Sequence, residues 1–170
     1  GAALYVTLEP CTHFGRTPPC TENIVKAGIS KVYVAMIDPN PLVNGKGISR
    51  LNEAGIQTIV GDCEEEAREL TEAYAKFITT GLPFITAKFA MSLDGKTATR
   101  MGDSKWVTGK ESRHLVHQMR AASDAIMVGI HTVLQDDPQL TTRDESGAPY
   151  DRQPLRVLVD SHGRTPSEAR

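Results

Sequence analysis

Two cysteines carry the most specific chemistry in this chain. Cys11 follows Glu9-Pro10, and Cys20 comes after eight intervening residues that include Gly15-Arg16-Thr17-Pro18-Pro19. Thiolates are soft ligands suited to zinc. A hydrolytic zinc centre takes three protein ligands, keeps one position open for water, and needs a nearby carboxylate to move protons. Ten residues precede Cys11, too few for a third ligand and a base to be expected there. Unrelated thiols also occur nine residues apart, so the setting of the pair matters more than its spacing.

That setting reads as a strand, a turn and a helix. Residues 2–8, Ala-Ala-Leu-Tyr-Val-Thr-Leu, are apolar and β-branched enough for a buried strand that runs into the Glu-Pro-Cys turn. Residues 20–27 predict a short helix stopped by Gly28. Cys20 then opens that helix, where the dipole and free amides are expected to favour its thiolate. Residues 31–36 predict a second strand. Asp38-Pro39-Asn40-Pro41 blocks helix and sheet alike, and with Asn44-Gly45-Lys46-Gly47 it forms a loop at that strand's end. Ligands collect at such strand ends in open α/β sheets. Residues 48–54 predict a helix, 56–60 a third strand, and 63–79 a helix with Ala67, Leu70, Tyr74, Phe77 and Ile78 on one apolar stripe. Cys63 is expected to pack at or near the start of that helix, since free cysteine is commonly buried.

Thr80-Gly81-Leu82-Pro83 interrupts the pattern and marks a domain boundary. Beyond it, residues 84–91 predict a strand, 92–105 a polar loop, 110–121 a helix, 125–128 a strand, a short helix surrounds Thr132, and 155–159 form a last strand. Alternating strands and helices predict the α/β class, with domains over 1–80 and 84–170. No Gly-x-Gly-x-x-Gly follows any strand, so a Rossmann-type cofactor site is not expected. Trp106, the single tryptophan, reads by default as a core or interface residue. His114 and His117 share a helix face and are close enough to share a metal, but no third ligand accompanies them, and two unrelated histidines are the preferred reading.

With 19 basic against 21 acidic residues the formal charge is -2, which lacks the footprint of a nucleic-acid binder and leaves room for a small anionic substrate. No stretch approaches the ~20 apolar residues of a membrane span, and no signal peptide is read. Three cysteines are too few for a secreted disulfide scaffold, so a reducing cytoplasm is expected. A homodimer or higher homo-oligomer is the default for such an enzyme.

The run Leu4-Tyr5-Val6-Thr7-Leu8-Glu9-Pro10-Cys11-Thr12-His13-Phe14-Gly15-Arg16-Thr17-Pro18-Pro19-Cys20, with Asp38-Pro39-Asn40-Pro41 and Gly45-Lys46-Gly47, resembles the deaminase half of the bifunctional riboflavin-biosynthesis deaminase/reductases. The other half of that family is matched by Lys88-Phe89-Ala90-Met91-Ser92-Leu93-Asp94-Gly95-Lys96, by Ser104-Lys105-Trp106-Val107-Thr108-Gly109, and by residues 132–141. The resemblance covers essentially the whole chain. It implies a cytidine-deaminase-like three-layer domain followed by a dihydrofolate-reductase-like domain, both incomplete here.

The resemblance also implies roles. Zinc would sit on Cys11 and Cys20, with His13, Arg16, Asp38 and Asn40 toward the pyrimidine and ribose phosphate. The family's third ligand and its proton-shuttling glutamate belong to a His-Ala-Glu triplet without a counterpart in this sequence, which leaves the catalytic residue unassigned. In the second domain NADPH would meet Ala90, Trp106, Thr132, Asp136 and Ser161, and the substrate would meet Lys88, Ser104, Arg120, Leu140 and Arg143. The family's glycine-containing phosphate loop and an acidic substrate contact lie beyond the position matching Arg170.

The implied chemistry is hydrolytic deamination of 2,5-diamino-6-(5-phosphoribosylamino)pyrimidin-4-one, then NADPH-dependent reduction of the ribosyl group to ribityl. A polypeptide of these 170 residues is expected to turn over neither. Two rivals stand beside this reading: another zinc deaminase acting on nucleosides or on bases in nucleic acid, and a non-catalytic α/β binding module with structural cysteines. Near-neutral charge and the second domain weigh against the first rival. Zinc content after Cys11→Ser separates the second.

Overall fold

Lys31-Val32-Tyr33-Val34-Ala35-Met36 carries apolar or aromatic side chains on both alternating faces, the pattern of a strand covered from two sides. The computed structural model, which describes residues 1–170, places this segment at the centre of a three-stranded parallel sheet. Its strands are β1 (Ala3–Leu8), β2 (Lys31–Met36) and β3 (Gln57–Val60), in the order β1-β2-β3. Tyr5 is in register with Tyr33 and Leu8 with Met36, while Lys31 pairs with Gln57 on the other side.

Parallel neighbours require crossover connections, and two helices supply them. These are α1 (Cys20–Lys26) and α2 (Lys46–Glu53). Ile24 of α1 and Leu51 of α2 bury against Val32, Val34 and Ile56 on one side of the sheet. On the other side α3 (Glu64–Thr80) seats Ala67 against Ala35 and Met36. Leu51 is completely buried, so truncating it to alanine removes a packing contribution of about 2–5 kcal/mol. Together these elements make the unit Gly1–Ala87.

The second unit, Lys88–Arg170, is built on a two-stranded parallel sheet of β4 (Ala125–Gly129) and β5 (Leu155–Val159). Its ladder runs from Ala125↔Leu155 to Gly129↔Val159. Helix α4 (Lys110–Ala121) precedes β4, and α5 (Ile130–Asp136) follows it. No helix of the chain is long and apolar enough to cross a membrane.

Three sequence-based expectations fail, each for a reason of packing. Residues 84–91 form no strand, because a strand needs a ladder partner and β4 and β5 pair only with each other. The stripe on α3 is buried only at Ala67, while Leu70 and Phe77 are exposed and Tyr74 reaches the surface. The sheet is buried under the amino-terminal part of this helix, so the apolar pattern further along finds no layer to cover it. Cys63 is exposed, in a left-handed conformation (φ 59°) at the amino end of α3.

Gly47, in the first turn of α2, passes against the Pro-Cys turn: a Cβ there would lie 2.0 Å from the Pro10 carbonyl oxygen and 3.1 Å from Cγ of Glu9. Gly47→Ala must force that approach apart. A loss on the order of 3 kcal/mol or more is expected, read as a lowered urea midpoint by far-UV circular dichroism. An unchanged midpoint would contradict the close approach.

Candidate functional site

The Glu9 amide donates to the Met36 carbonyl (3.1 Å), which extends the β1–β2 ladder by one residue and fixes where the side chain goes. That side chain is buried and accepts four backbone N–H groups. Oε2 accepts from Asp38 (3.2 Å) and Gly45 (2.8 Å), and Oε1 accepts from Gly47 (2.8 Å) and Ile48 (3.1 Å). Gly47 and Ile48 lie in the first turn of α2, whose capping residue, Gly45, has no side chain to offer them. Glu9 caps the helix from another strand and places its charge at the favourable end of the dipole. This is why α2 begins at Lys46 rather than at the expected Ile48. With all four acceptor directions filled, Glu9 is a structural carboxylate and not a proton shuttle.

Asp38 and Asn40 are buried in the loop that Glu9 anchors. Asp38 Oδ1 accepts the Asn40 N–H (2.9 Å), and Asn40 Oδ1 accepts the Leu42 N–H (3.0 Å). The Tyr74 hydroxyl donates to Asp38 at 2.9 Å (Oδ1) and 3.2 Å (Oδ2). Burial, and then the Asp38 carboxylate, hold the Tyr74 phenol above its usual pKa. Apolar periodicity placed Tyr74 on a packing stripe; its hydroxyl contact has no signature in one sequence.

Cys11, Cys20, Glu9 and Asp38 line one open cavity of about 460 Å³ at the carboxyl end of β1, floored by Val6 and Leu8. The Cys20 N–H donates to Cys11 Sγ (3.4 Å). The free amide at the start of α1 therefore serves Cys11, not Cys20's own sulfur. The expected depression of the Cys20 thiol is overturned: shielding of its inner side, and then the adjacent Cys11, push its pKa up. His13 Nδ1 is buried without a protein partner, and Arg16 is exposed and forms no ion pair. Two neighbouring sulfurs in one cavity are a fitting part of a zinc donor set. No three His, Cys, Asp or Glu side chains are placed to hold a metal ion together, at the cysteine cavity or at His114 and His117.

In the second unit the site residues fall into two sets. Thr132 lies in the first turn of α5, just beyond the carboxyl end of β4, and Ser161 follows the carboxyl end of the adjacent β5. Asp136 lies one helical turn beyond Thr132; all three are exposed. Ala90 is half-buried, and Lys88 and Ser104 are exposed. Trp106 is 74% exposed rather than in a core, with the Arg113 guanidinium 4.5 Å from its ring centroid. Arg113 is itself held by the Thr108 carbonyl (2.7 Å).

The other set meets at Thr141. Arg120 Nη1 donates to its carbonyl (3.3 Å), Arg143 Nε donates to its hydroxyl (3.2 Å), and Arg143 Nη2 also donates to Gln139. Leu140 and Thr141 line a cavity of about 610 Å³ with Asp124 and Leu155, at the amino edge of the β4–β5 sheet. Neither arginine is in an ion pair. Burial lowers the Arg120 pKa. The structure thus brings Arg120, Leu140 and Arg143 together, and sets Thr132 and Ser161 at the opposite edge.

Residues 83–170 match the family described as the RibD C-terminal domain. The chain belongs to the RibD family. Its relatives include the riboflavin biosynthesis protein RibD of Aquifex aeolicus (strain VF5), 54% identical over all of this chain and 47% of that protein. Chlamydia muridarum RibD is 50% identical, again over the whole chain and 46% of the relative. The chain therefore spans about half the length of the curated RibD proteins it matches. Among solved structures, a Thermotoga maritima diaminohydroxyphosphoribosylaminopyrimidine deaminase/5-amino-6-(5-phosphoribosylamino)uracil reductase superposes with TM-score 0.84 at 45% identity, over 94% of this chain and 44% of that one. Acinetobacter baumannii RibD gives TM-score 0.84 at 49% identity, over 97% of this chain and 47% of its own.

The Asp38–Tyr74 contact yields a pH prediction for this RibD chain. A raised phenol pKa means that the folded state holds its proton more tightly. The corresponding stability is complete below the unfolded value of about 10 and is lost as pH rises through the folded value. Asp38→Asn removes the charge, so the Tyr74 pKa is expected to move down toward its ordinary value, followed by phenolate absorbance near 295 nm.

Proposed function

We propose that the chain serves riboflavin biosynthesis, its first unit as the cysteine-bearing part of a zinc deaminase and its second as part of an NADPH-dependent reductase. The observation that carries the first assignment is that Cys11, just past a strand end, and Cys20, opening a helix, line one cavity, with the Cys20 backbone N–H donating to Cys11 Sγ at 3.4 Å. Cys11 and Cys20 would supply two of the ligands of a zinc ion, and the metal would provide hydroxide near neutral pH for displacing an amino group from an amidine carbon. The domain type that fits is cytidine-deaminase-like, over residues 1–80.

The substrate read from these residues is a diaminopyrimidinone carrying a ribosyl phosphate. His13 has an unmatched buried ring nitrogen to offer it, and Arg16 an unpaired guanidinium. Asp38 and Asn40 spend part of their polar capacity on the loop, which fixes their orientation toward a bound pyrimidine.

For the dihydrofolate-reductase-like unit, over 84–170, bound NADPH would supply the hydride that reduces ribose C1, the C1–ring-oxygen bond breaking and the ring oxygen taking a proton to leave a ribityl chain. Thr132 and Ser161 stand at the carboxyl edge of a parallel sheet, the usual place for a cofactor in an α/β unit. Trp106, with Asp136 and Ala90, completes the cofactor set; Lys88 and Ser104 belong to the substrate side. Arg120 and Arg143, two guanidiniums at one residue with no carboxylate between them, are suited to the substrate's phosphate.

Three measurements test this reading. In the full-length protein, Cys11→Ser or Cys20→Ser is expected to remove most of the bound zinc, measured by plasma mass spectrometry; full retention would make the sulfurs bystanders. Arg143→Ala is expected to raise KM for the phosphorylated substrate roughly 10–100-fold with kcat little changed, as loss of a charged hydrogen bond does. The 170-residue chain alone, which gathers only two sulfur donors, is expected to release no ammonia and oxidise no NADPH when zinc is supplied.

A further inference from the structure

Helix α4 turns His117 and Arg120 onto one face, three residues apart. Arg120 and Arg143 each commit an N–H to Thr141, so two positive charges meet around one residue. The acids of the adjoining loop do not neutralise them. Asp144 Oδ1 accepts the N–H groups of Ser146 and Ala148 (both 2.9 Å), and Glu145 points outward to His114 Nε2 at 3.4 Å. His117, one helical turn before Arg120, has a buried Nδ1 that makes no protein hydrogen bond, while the Thr141 carbonyl and both arginines are near enough to act on its ring. Native structures seldom leave such an atom unmatched.

We propose that His117 is a third anion-binding residue, whose imidazolium closes on a sugar phosphate held by Arg120 and Arg143. The inference rests on the reading of those arginines as the phosphate end of the substrate site.

In the free protein, burial, and then the charges of Arg120, Arg143 and His114, lower the His117 pKa. The Thr141 carbonyl works in the opposite sense. An entering phosphate offsets the arginine charges and offers the protonated ring an acceptor, so the same groups that kept the proton off now let it on. Binding therefore takes up a proton. Affinity is greatest below the free-state pKa of His117 and weakens as pH rises from there through the bound-state value.

The test is an NMR titration of the histidine Cε1–H resonances in the full chain, without and with inorganic phosphate, with His117→Gln identifying the signal. The His117 pKa is expected below the ordinary histidine value in free protein and higher by about one unit with phosphate, a tenfold coupling. Ribose 5-phosphate is expected to reproduce the shift; adenosine 2′-phosphate producing it instead would overturn the assignment to a sugar 5-phosphate. His117→Gln should weaken phosphate binding about tenfold near pH 6 and much less near pH 8, the range over which histidine changes charge. Unchanged affinity and pH dependence in His117→Gln, with binding lost in Arg120→Ala, would overturn the role of His117 and leave the arginine reading intact. No phosphate binding by the unmodified chain would overturn both.

Discussion

Four backbone N–H groups converge on the Glu9 carboxylate, and the first unit is arranged around that convergence. The donors come from the loop after β2 and from the start of α2, so one side chain sets the end of one strand, the exit of the next and the beginning of a helix. A buried carboxylate is tolerable only when its acceptor capacity is filled, and here the backbone fills it. Gly47 suits the arrangement because it brings no side chain into the space where Glu9 and Pro10 approach, and Gly45 because its φ of 85° is one that residues with a side chain rarely adopt. Cys11 and Asp38 take their places on the cavity as neighbours of this knot.

The knot also separates two kinds of acid. Glu9 and Asp38 border the cysteine cavity together, yet every acceptor direction of Glu9 is spent on backbone. Asp38 is oriented by the Asn40 N–H and the Tyr74 hydroxyl, and helps hold Asn40 in place. A second organising contrast appears in the other unit, where polar side chains collect at both edges of the β4–β5 sheet. At the carboxyl edge they are exposed hydroxyls and an acid. At the amino edge they are arginines without counter-charge, arranged around Thr141. Partly buried guanidiniums without a counter-charge are the feature on which the proposed phosphate site rests.

Local signals were enough where an element's determinants are neighbours in sequence. Lys31–Met36, Lys110–Ala121 and Leu155–Val159 fold within the bounds that periodicity and breakers indicate. They were not enough for residues 84–91, whose composition suits a strand but whose strand character depends on a distant partner. The start of α2 shifted by two residues because its cap comes from Glu9, more than thirty residues earlier, and no local capping rule sees that far. Trp106 and the outer part of α3 show the same limit for burial: side-chain type indicates what prefers to be covered, and the fold decides what is.

The sequence by itself determined the α/β class, the order of most elements, the cysteine pair and the family resemblance, because each is written in residue types at short range. Only the tertiary structure decided that Glu9 is a structural hub, that the amide opening α1 serves Cys11 while the Cys20 thiol is pushed up, and that Arg120, Arg143 and His117 form one cluster. Those facts depend on where hydrogen-bond donors and charges end up in space. Desolvation and Coulomb interactions are functions of distance, and sequence separation does not report it.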